Sequence, residues 1–496
     1  MNAGAGGRGL TLSRFAIILF ILAGVYILWD NWLPRPSAYY LPSQDSLREI
    51  STTAEQRHEE QTSNLQTNTT SSLRPTPPAS FSEACRTVPG AENVMVLLKT
   101  GATELYQKLP THFLTTFTCV PNYMIFSDLA QQFGDIVVHD AIAPVSFVYR
   151  EHHWDFELYR KLQHYHAEGQ DMGHLQGDGG WNLDKWKFLP MLHQAFESAE
   201  DNIEWFVVME ADTSLAWANL LRWLRTMDSS KPFYLGAQNV IGSTTFAHGG
   251  SGFVISRKAA DMLEEVRYAK GKQSFDADWE QALSYACCGD EVIARTLEEA
   301  GVTLTPAWPI IQGETVSSID WTSNHWCRPA ISWHHVTPIE IDSLWQFQAR
   351  WVEEHGWGEP FLHRDVFEHF IERHLAVNRT AWDNLSQDTK LASPELVTGD
   401  DKPLVAMEDW ERRATGSQNA CAEACMRKGE EECIQWMYSP GRCHLGRDIR
   451  FGKSDERENV EERWVSGWIP ERIEKFKRSF EGCGTIWRGV GAEGTE

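Results

Sequence analysis

Across residues 85–205 the chain carries neither a Walker-type loop nor a G-x-G-x-x-G turn, so the common backbone cradles for a nucleotide phosphate are missing there. Positive charge is also scarce. Lys and Arg number 45 against 69 Asp and Glu, a formal net charge of −24, which argues against nucleic acid or any other polyanion as a partner. A phosphate bound by such a chain needs a metal to offset its charge. No C-x2-C pair occurs among the ten cysteines, so disulfides in an oxidising compartment fit better than zinc or cytosolic thiols. Residues 34–80 hold too few large apolar side chains to build a core.

What is present divides the chain. The run from Phe15 to Trp29 has no charged residue, follows Arg8 and Arg14, and closes at Asp30 with Trp32 beside it. Fifteen helical residues rise only about 22 Å, so the expected span is residues 15–33, suited to a thin early-secretory bilayer. No small-x-small cleavage site follows, only Leu33, Pro34, Tyr39 and Tyr40, which favours a signal anchor over a cleaved signal peptide. The Arg bias places residues 1–14 in the cytoplasm and the rest in the lumen of the Golgi or endoplasmic reticulum, as a single-pass type II protein. Residues 34–80, rich in Ser, Thr, Gln, Asn and Pro, read as a flexible stem. Sequons at Asn68, Asn378 and Asn384 lie in stretches read as exposed and are candidate glycan sites.

From Cys85 the pattern turns globular. Residues 94–98, 123–126 and 135–138 read as strands and 103–117 as an amphipathic helix, a βαβ alternation that implies a mostly parallel sheet. Cys85 and Cys119 flank the first unit and are a candidate pair. A helix over 186–198 leads into Trp205-Phe-Val-Val-Met-Glu-Ala-Asp-Thr213, an apolar run that stops at two carboxylates. Such a run is a buried central strand, and ligands bind beyond the carboxyl ends of strands in open α/β sheets. Alternate residues of an extended chain point the same way, so Glu210 and Asp212 face one ion together, or Asp212 caps the helix that follows.

Three further stretches each have a bland reading beside a functional one. Gly249, Gly250 and Gly252 allow close approach of the backbone to a ligand, or make a tight connection. Asp290 and Glu291 open a helix, where carboxylates meet free N–H groups in any case. His334 and His335 end a short apolar strand, a place where a histidine pair is structural unless carboxylates lie near.

Together these stretches resemble, in order and wording, the inverting β-1,3-glycosyltransferases of the fringe and core 1 galactosyltransferase type, family thirty-one, in their fungal form. Glu210-Ala-Asp-Thr213 is similar to the family's Asp-Asp-Asp-Thr, with Ala211 where the middle Asp is usual. Gly250-Ser-Gly-Phe-Val-Ile-Ser256 is similar to its Gly-Ser-Gly-Tyr-x-x-Ser, Gly289-Asp-Glu-Val292 to its acidic pair opening a helix, and Ser332-Trp-His-His-Val336 to its Ser-Phe-His-Tyr-Val. The resemblance implies a GT-A type nucleotide-sugar domain over residues 85–350 with a mostly parallel sheet. It implies Mn2+ or another divalent cation held by Asp212 and by His334 rather than His335. Glu210, Asp128 and Lys99 would lie at the donor, and Asp290 or Glu291 would act as base. The implied reaction moves galactose or a related hexose from a UDP-sugar to a hydroxyl of a glycan or glycoprotein acceptor, in β-1,3 linkage, by one inverting displacement; a homodimer is left open. Two alternatives stand beside it: a membrane-anchored carbohydrate-binding protein whose Trp181 and Trp326 stack on sugars, and an inactive relative serving as a chaperone or scaffold.

Residues 351–403 read as a helical extension and linker. Over 404–496, Cys421, Cys425, Cys433 and Cys443 with their surrounding sequence resemble the PAN/apple fold, a small disulfide-rich α+β module. Nested pairs, Cys421 with Cys443 and Cys425 with Cys433, are expected there. The sequence assigns no partners to Cys287, Cys288, Cys327 or Cys483.

Overall fold

The structure, a computed structural model, describes residues 81–177 and 179–491. The expected cytoplasmic tail, membrane span, stem and Asn68 lie outside them. Among the described residues no helix is long and apolar enough to cross a membrane.

The strand β5 (Trp205–Glu210) sits in the middle of an eight-stranded sheet. Beside it on one side run β1 (Val94–Lys99), β2 (Asn122–Ser127), β4 (Ile136–Asp140) and β3 (Gln131–Phe133); on the other lie β10 (Phe253–Ser256), β7 (Tyr234–Gly236) and β11 (Leu304–Pro306). The pairs β1–β5, β1–β2, β2–β4 and β7–β11 are parallel, while β10 and β3 run against their neighbours. The apolar alternation of β5 explains its place: Phe206 and Val208 enter one core, and Trp205, Val207 and Met209 enter the other. The first core is roofed by helices Phe188–Ser198, Arg257–Lys270, Lys272–Tyr285 and Gly289–Glu299. The second is covered by Leu105–Leu114 and Trp217–Leu224. Both faces being covered, a continuous apolar strand is the stable choice.

Two small ladders shape the end of this sheet. β6 (Ser214–Leu215) pairs antiparallel with β12 (Ser332–Trp333), drawing together segments distant in sequence. β8 (Gln238–Ile241) and β9 (Thr244–Ala247) form a hairpin. Cys85 bonds to Cys119, clamping the first βαβ unit.

The C-terminal region is built on a five-stranded antiparallel sheet. Its order is β13 (Arg379–Thr380), β19 (Val465–Trp468), β16 (Gln435–Ser439), β17 (Arg442–Gly446) and β15 (Thr389–Ala392). A separate pair joins β14 (Trp382–Asp383) to β18 (Lys453–Ser454). Cys421–Cys443 and Cys425–Cys433 staple helix Gln418–Lys428 to this sheet in nested order. A boundary at 404 runs through the sheet, because Leu391 and Ala392 of β15 are buried against β17. Asn384 also differs from its expected exposure. It is 0 % exposed, its Nδ2 donates to the Trp436 carbonyl at 3.1 Å, and no room remains for a glycan, whereas Asn378 is exposed.

The chain then returns to the larger sheet domain. Cys327, shortly before β12, bonds to Cys483. Ile486 N donates to Cys327 O, Trp223 Nε1 to Trp487 O, and Val490 N to Trp308 O.

Candidate functional site

β5 delivers Glu210 to the carboxyl edge of the sheet, and the turn beyond it is fixed by Thr213. The Thr213 hydroxyl accepts from Glu210 N at 3.1 Å and donates to Gly250 O at 2.7 Å. Glu210 and Asp212 thereby face a cavity of about 630 Å³. Ala211, between them, is 2 % exposed and packs into the core beneath. A carboxylate at 211 would point into that core, so its absence leaves the cavity unchanged.

The β6–β12 ladder brings His334 opposite. Its Nε2 stands 3.5 Å from Asp212 Oδ1 and 3.8 Å from Glu210 Oε2. Neighbouring residues of an extended chain point apart, but His335 adopts a left-handed backbone (φ 58°) and its ring lies 3.8 Å, centroid to centroid, from that of His334. Asp212, His334 and His335 consequently offer donor atoms within 4.8 Å of one another. One carboxylate and two imidazoles fit a divalent cation. The family resemblance alone selects His334 over His335, and the structure gathers both.

The electrostatics of this group are strongly coupled. Burial pushes the pKa of His334 down, but its hydrogen bonds and charge contacts with Asp212 and Glu210 outweigh burial and raise it to about 9. Burial likewise opposes ionisation of Asp212, yet the hydrogen bond from His334 and the charge of Lys108, 3.2 Å away, hold its pKa low. For Glu210, burial is overcome by Lys99 and His334. A cation bound here replaces the His334 proton, since imidazole ligates in its neutral form.

Beneath the cavity lies a buried ion network. Lys99 bridges Asp184 Oδ2 (2.5 Å) and Glu210 Oε1 (3.0 Å). Lys187 bridges Asp128 (3.0 Å) and Asp184 (3.4 Å) and donates to Thr100 O. Lys99 and Asp128, expected at the donor, both line the cavity but already hold protein partners. Asp184 and Lys187 belong to no motif, and their part in this network had no signal in the sequence.

The glycine loop packs against the same groups. A Cβ at Gly250 would lie 2.1 Å from His334 Cε1, so only glycine lets that ring sit on the backbone. Gly249 N donates to Asp290 Oδ2 at 2.9 Å. Gly252 (φ 83°) shapes the turn away from the cavity.

The acidic pair divides. Asp290 heads helix Gly289–Glu299, lines the cavity, and has its pKa raised by burial against the opposing Gly249 N–H and His248. Glu291 is buried outside the cavity lining, 3.7 Å from Arg295. His248, unassigned from sequence although it adjoins the glycines, places Nδ1 2.7 Å from Ser251 Oγ and meets the His334 ring edge-on. Trp326 is only 2 % exposed and packs in a core, which removes it as a sugar platform; Trp181 stands 66 % exposed among the residues lining the cavity.

A second cavity, of about 460 Å³, opens between helices Phe188–Ser198 and Lys272–Tyr285. Its main cation, Arg267, is enclosed by Glu197, Glu264 and Asp276, so its polar groups satisfy one another instead of converging on a ligand.

A protein-family model described as Fringe-like matches residues 188–305. The matched segment runs from helix Phe188–Ser198 through β5, the glycine loop and the Asp290 helix to β11, and stops short of His334. The match supports a glycosyltransferase of the family-thirty-one kind, with a nucleotide-sugar donor and a glycan acceptor, and the Asp212–His334–His335 group is where a divalent cation fits.

Proposed function

We propose that the chain is a type II membrane glycosyltransferase of the Golgi or endoplasmic reticulum, moving galactose or a related hexose from a UDP-sugar to a glycan hydroxyl with inversion, in β-1,3 linkage. The observation that carries this reading is one cavity with a group able to ligate a cation, Asp212, His334 and His335, and a separate half-buried carboxylate, Asp290. Mn2+ held by those residues supplies charge neutralisation for the diphosphate. Lys99 and Lys108 keep Glu210 and Asp212 ionised and in position.

Asp290 is the base. Its two oxygens accept from Gly249 N and Glu291 N, which fixes the carboxylate, and burial lifts its pKa toward the range where a base works well. The acceptor oxygen forms a bond to the anomeric carbon as the bond to the diphosphate breaks. The hydroxyl proton passes to Asp290. Glu104, the other cavity carboxylate outside the cation group and the ion network, is paired with Lys108 at 2.8 Å, which leaves Asp290 for this, and a single displacement that inverts the anomeric centre needs no second carboxylate. Ala211 is buried in the core, away from the cavity, which weighs against the inactive-relative reading.

The test is a panel of nucleotide sugars offered to the purified chain with Mn2+ or EDTA, read as nucleotide release and transfer. Release in Mn2+ that EDTA abolishes is expected. Cation binding with no turnover of any donor would leave a carbohydrate-binding protein instead. The luminal assignment is tested at Asn378, the exposed sequon among the described residues. Its glycan should vanish in Asn378→Gln, and an unglycosylated parent would argue for the opposite topology.

A further inference from the structure

Building on the glycosyltransferase reading above, we propose that Trp181 and the Cys287–Cys288 disulfide form the platform that seats the acceptor, and that this acceptor is a neutral pyranoside. Trp181 belongs to helix Gly179–Asp184, and the residues just after that helix press it against the far wall of the cavity. Lys185 Nζ donates to Ala286 O at 2.9 Å. A Cβ at Gly289 would lie 2.4 Å from Lys185 O, so the two segments touch backbone to backbone. Between Ala286 and Gly289, Cys287 and Cys288 are bonded to each other, and both line the same cavity as Trp181. Asp290 follows immediately.

The order of groups along this wall locates the acceptor. Its hydroxyl must come within hydrogen-bond reach of Asp290, and the ring bearing that hydroxyl then occupies the space bounded by the disulfide and the indole. An exposed indole offers a flat apolar face matched to the C–H face of a pyranose. The disulfide adds polarisable, non-donating surface beside it. Charge decides the class. The lysines of the lining are engaged: Lys99 with Asp184 and Glu210, Lys187 with Asp128 and Asp184, and Lys185 with Asp155 at 3.0 Å. Glu104, Asp184 and Asp290 share that lining, so a uronic acid or sulfated sugar meets repulsion with no unengaged lysine to receive it.

The experiment uses the full chain in detergent, with the donor identified by the nucleotide-sugar panel and p-nitrophenyl glycosides of neutral hexoses, N-acetylhexosamines and glucuronic acid as acceptors. Trp181→Ala should raise the KM of the neutral acceptor about 10-fold while the KM of the donor stays at the parent's value, and Trp181→Phe should recover most of the loss. The double variant Cys287→Ser with Cys288→Ser, checked for folding by its thermal midpoint, should shift the acceptor KM in the same direction by less. An unchanged acceptor KM in Trp181→Ala, or glucuronide used as well as the neutral glycosides, would overturn this inference alone. A parent that turns over no donor would overturn the glycosyltransferase reading, and this inference with it.

Discussion

Two buried polar networks, one at the end of β5 and one in the C-terminal sheet, use similar materials and finish differently. In the C-terminal sheet Gln435 donates to Asn384 O (2.7 Å) and accepts from Trp468 Nε1 (3.0 Å) and Arg450 N (2.7 Å), while Ser386 Oγ donates to Asn384 Oδ1. Each of these groups is answered within the chain, and Asn384, Ser386 and Gln435 are fully buried. Beneath β5, Lys99, Asp184 and Lys187 also close on one another, but Glu210, Asp212 and Asp290 turn toward a cavity. A network that closes specifies a fold, and one that stays open on one side keeps charge ready for a ligand.

The comparison breaks most sharply at the cation group. Asp212→Asn and His334→Ala should each cost at least about 10²-fold in Mn2+-dependent donor affinity, since each removes a ligand from a set of three, with His335→Ala costing less; calorimetric titration with Mn2+ and a UDP-sugar measures it. Parental binding in both variants would place the cation elsewhere.

Next comes the base. Asp290→Asn should lower transfer by about 10²-fold or more with donor affinity kept, and Glu291→Gln should leave turnover near the parent's. The ionised form is the active one, so kcat/KM is retained at high pH and lost as pH falls through a pKa that burial has raised above 3.8. A pH profile flat down to the ordinary carboxylate range would remove Asp290 from this role.

The closed network should respond in stability alone. Gln435→Ala strands the groups it serves and should cost about 1–3 kcal/mol for each buried group left unpaired, seen in urea unfolding, with cation and donor affinity intact in the folded fraction. A matching loss of donor affinity would show that the two networks are one. The smallest effect is expected at the second sequon: Asn384→Gln should leave the glycan count unchanged by mass spectrometry, because its amide is already committed to Trp436 O.

The parts of this arrangement readable in advance were those with a local cause. β5 announces itself by an apolar run covered on both faces; Glu210 and Asp212 do meet one cavity, but through the turn that Thr213 fixes beyond the end of β5 and not by strand alternation. Asp290 and Glu291 sit at a helix start as carboxylates do, but which of them meets the cavity depends on Gly249, about forty residues upstream in sequence. His334 is preferred to His335 on the family resemblance alone, and the left-handed backbone that lays the His335 ring against that of His334 has no local signal in the sequence. Asp184 and Lys187 escaped altogether, since a buried ion pair has no periodicity. Asn384 misled for the same kind of reason. A sequon records an acceptor triplet and nothing of the strand that later covers it.

The Cys327–Cys483 bond has a consequence for how the molecule comes into being. These cysteines lie 156 residues apart, and the earlier one is close upstream of the His334 strand. A chain emerging in order from the ribosome can pair β1, β2 and β5 early, yet the segment carrying His334 and His335 acquires its tether only after the whole C-terminal sheet has been made. A half-synthesised polypeptide can therefore carry the acidic strand, and the β6–β12 ladder beside it, before the covalent clamp next to its histidines exists.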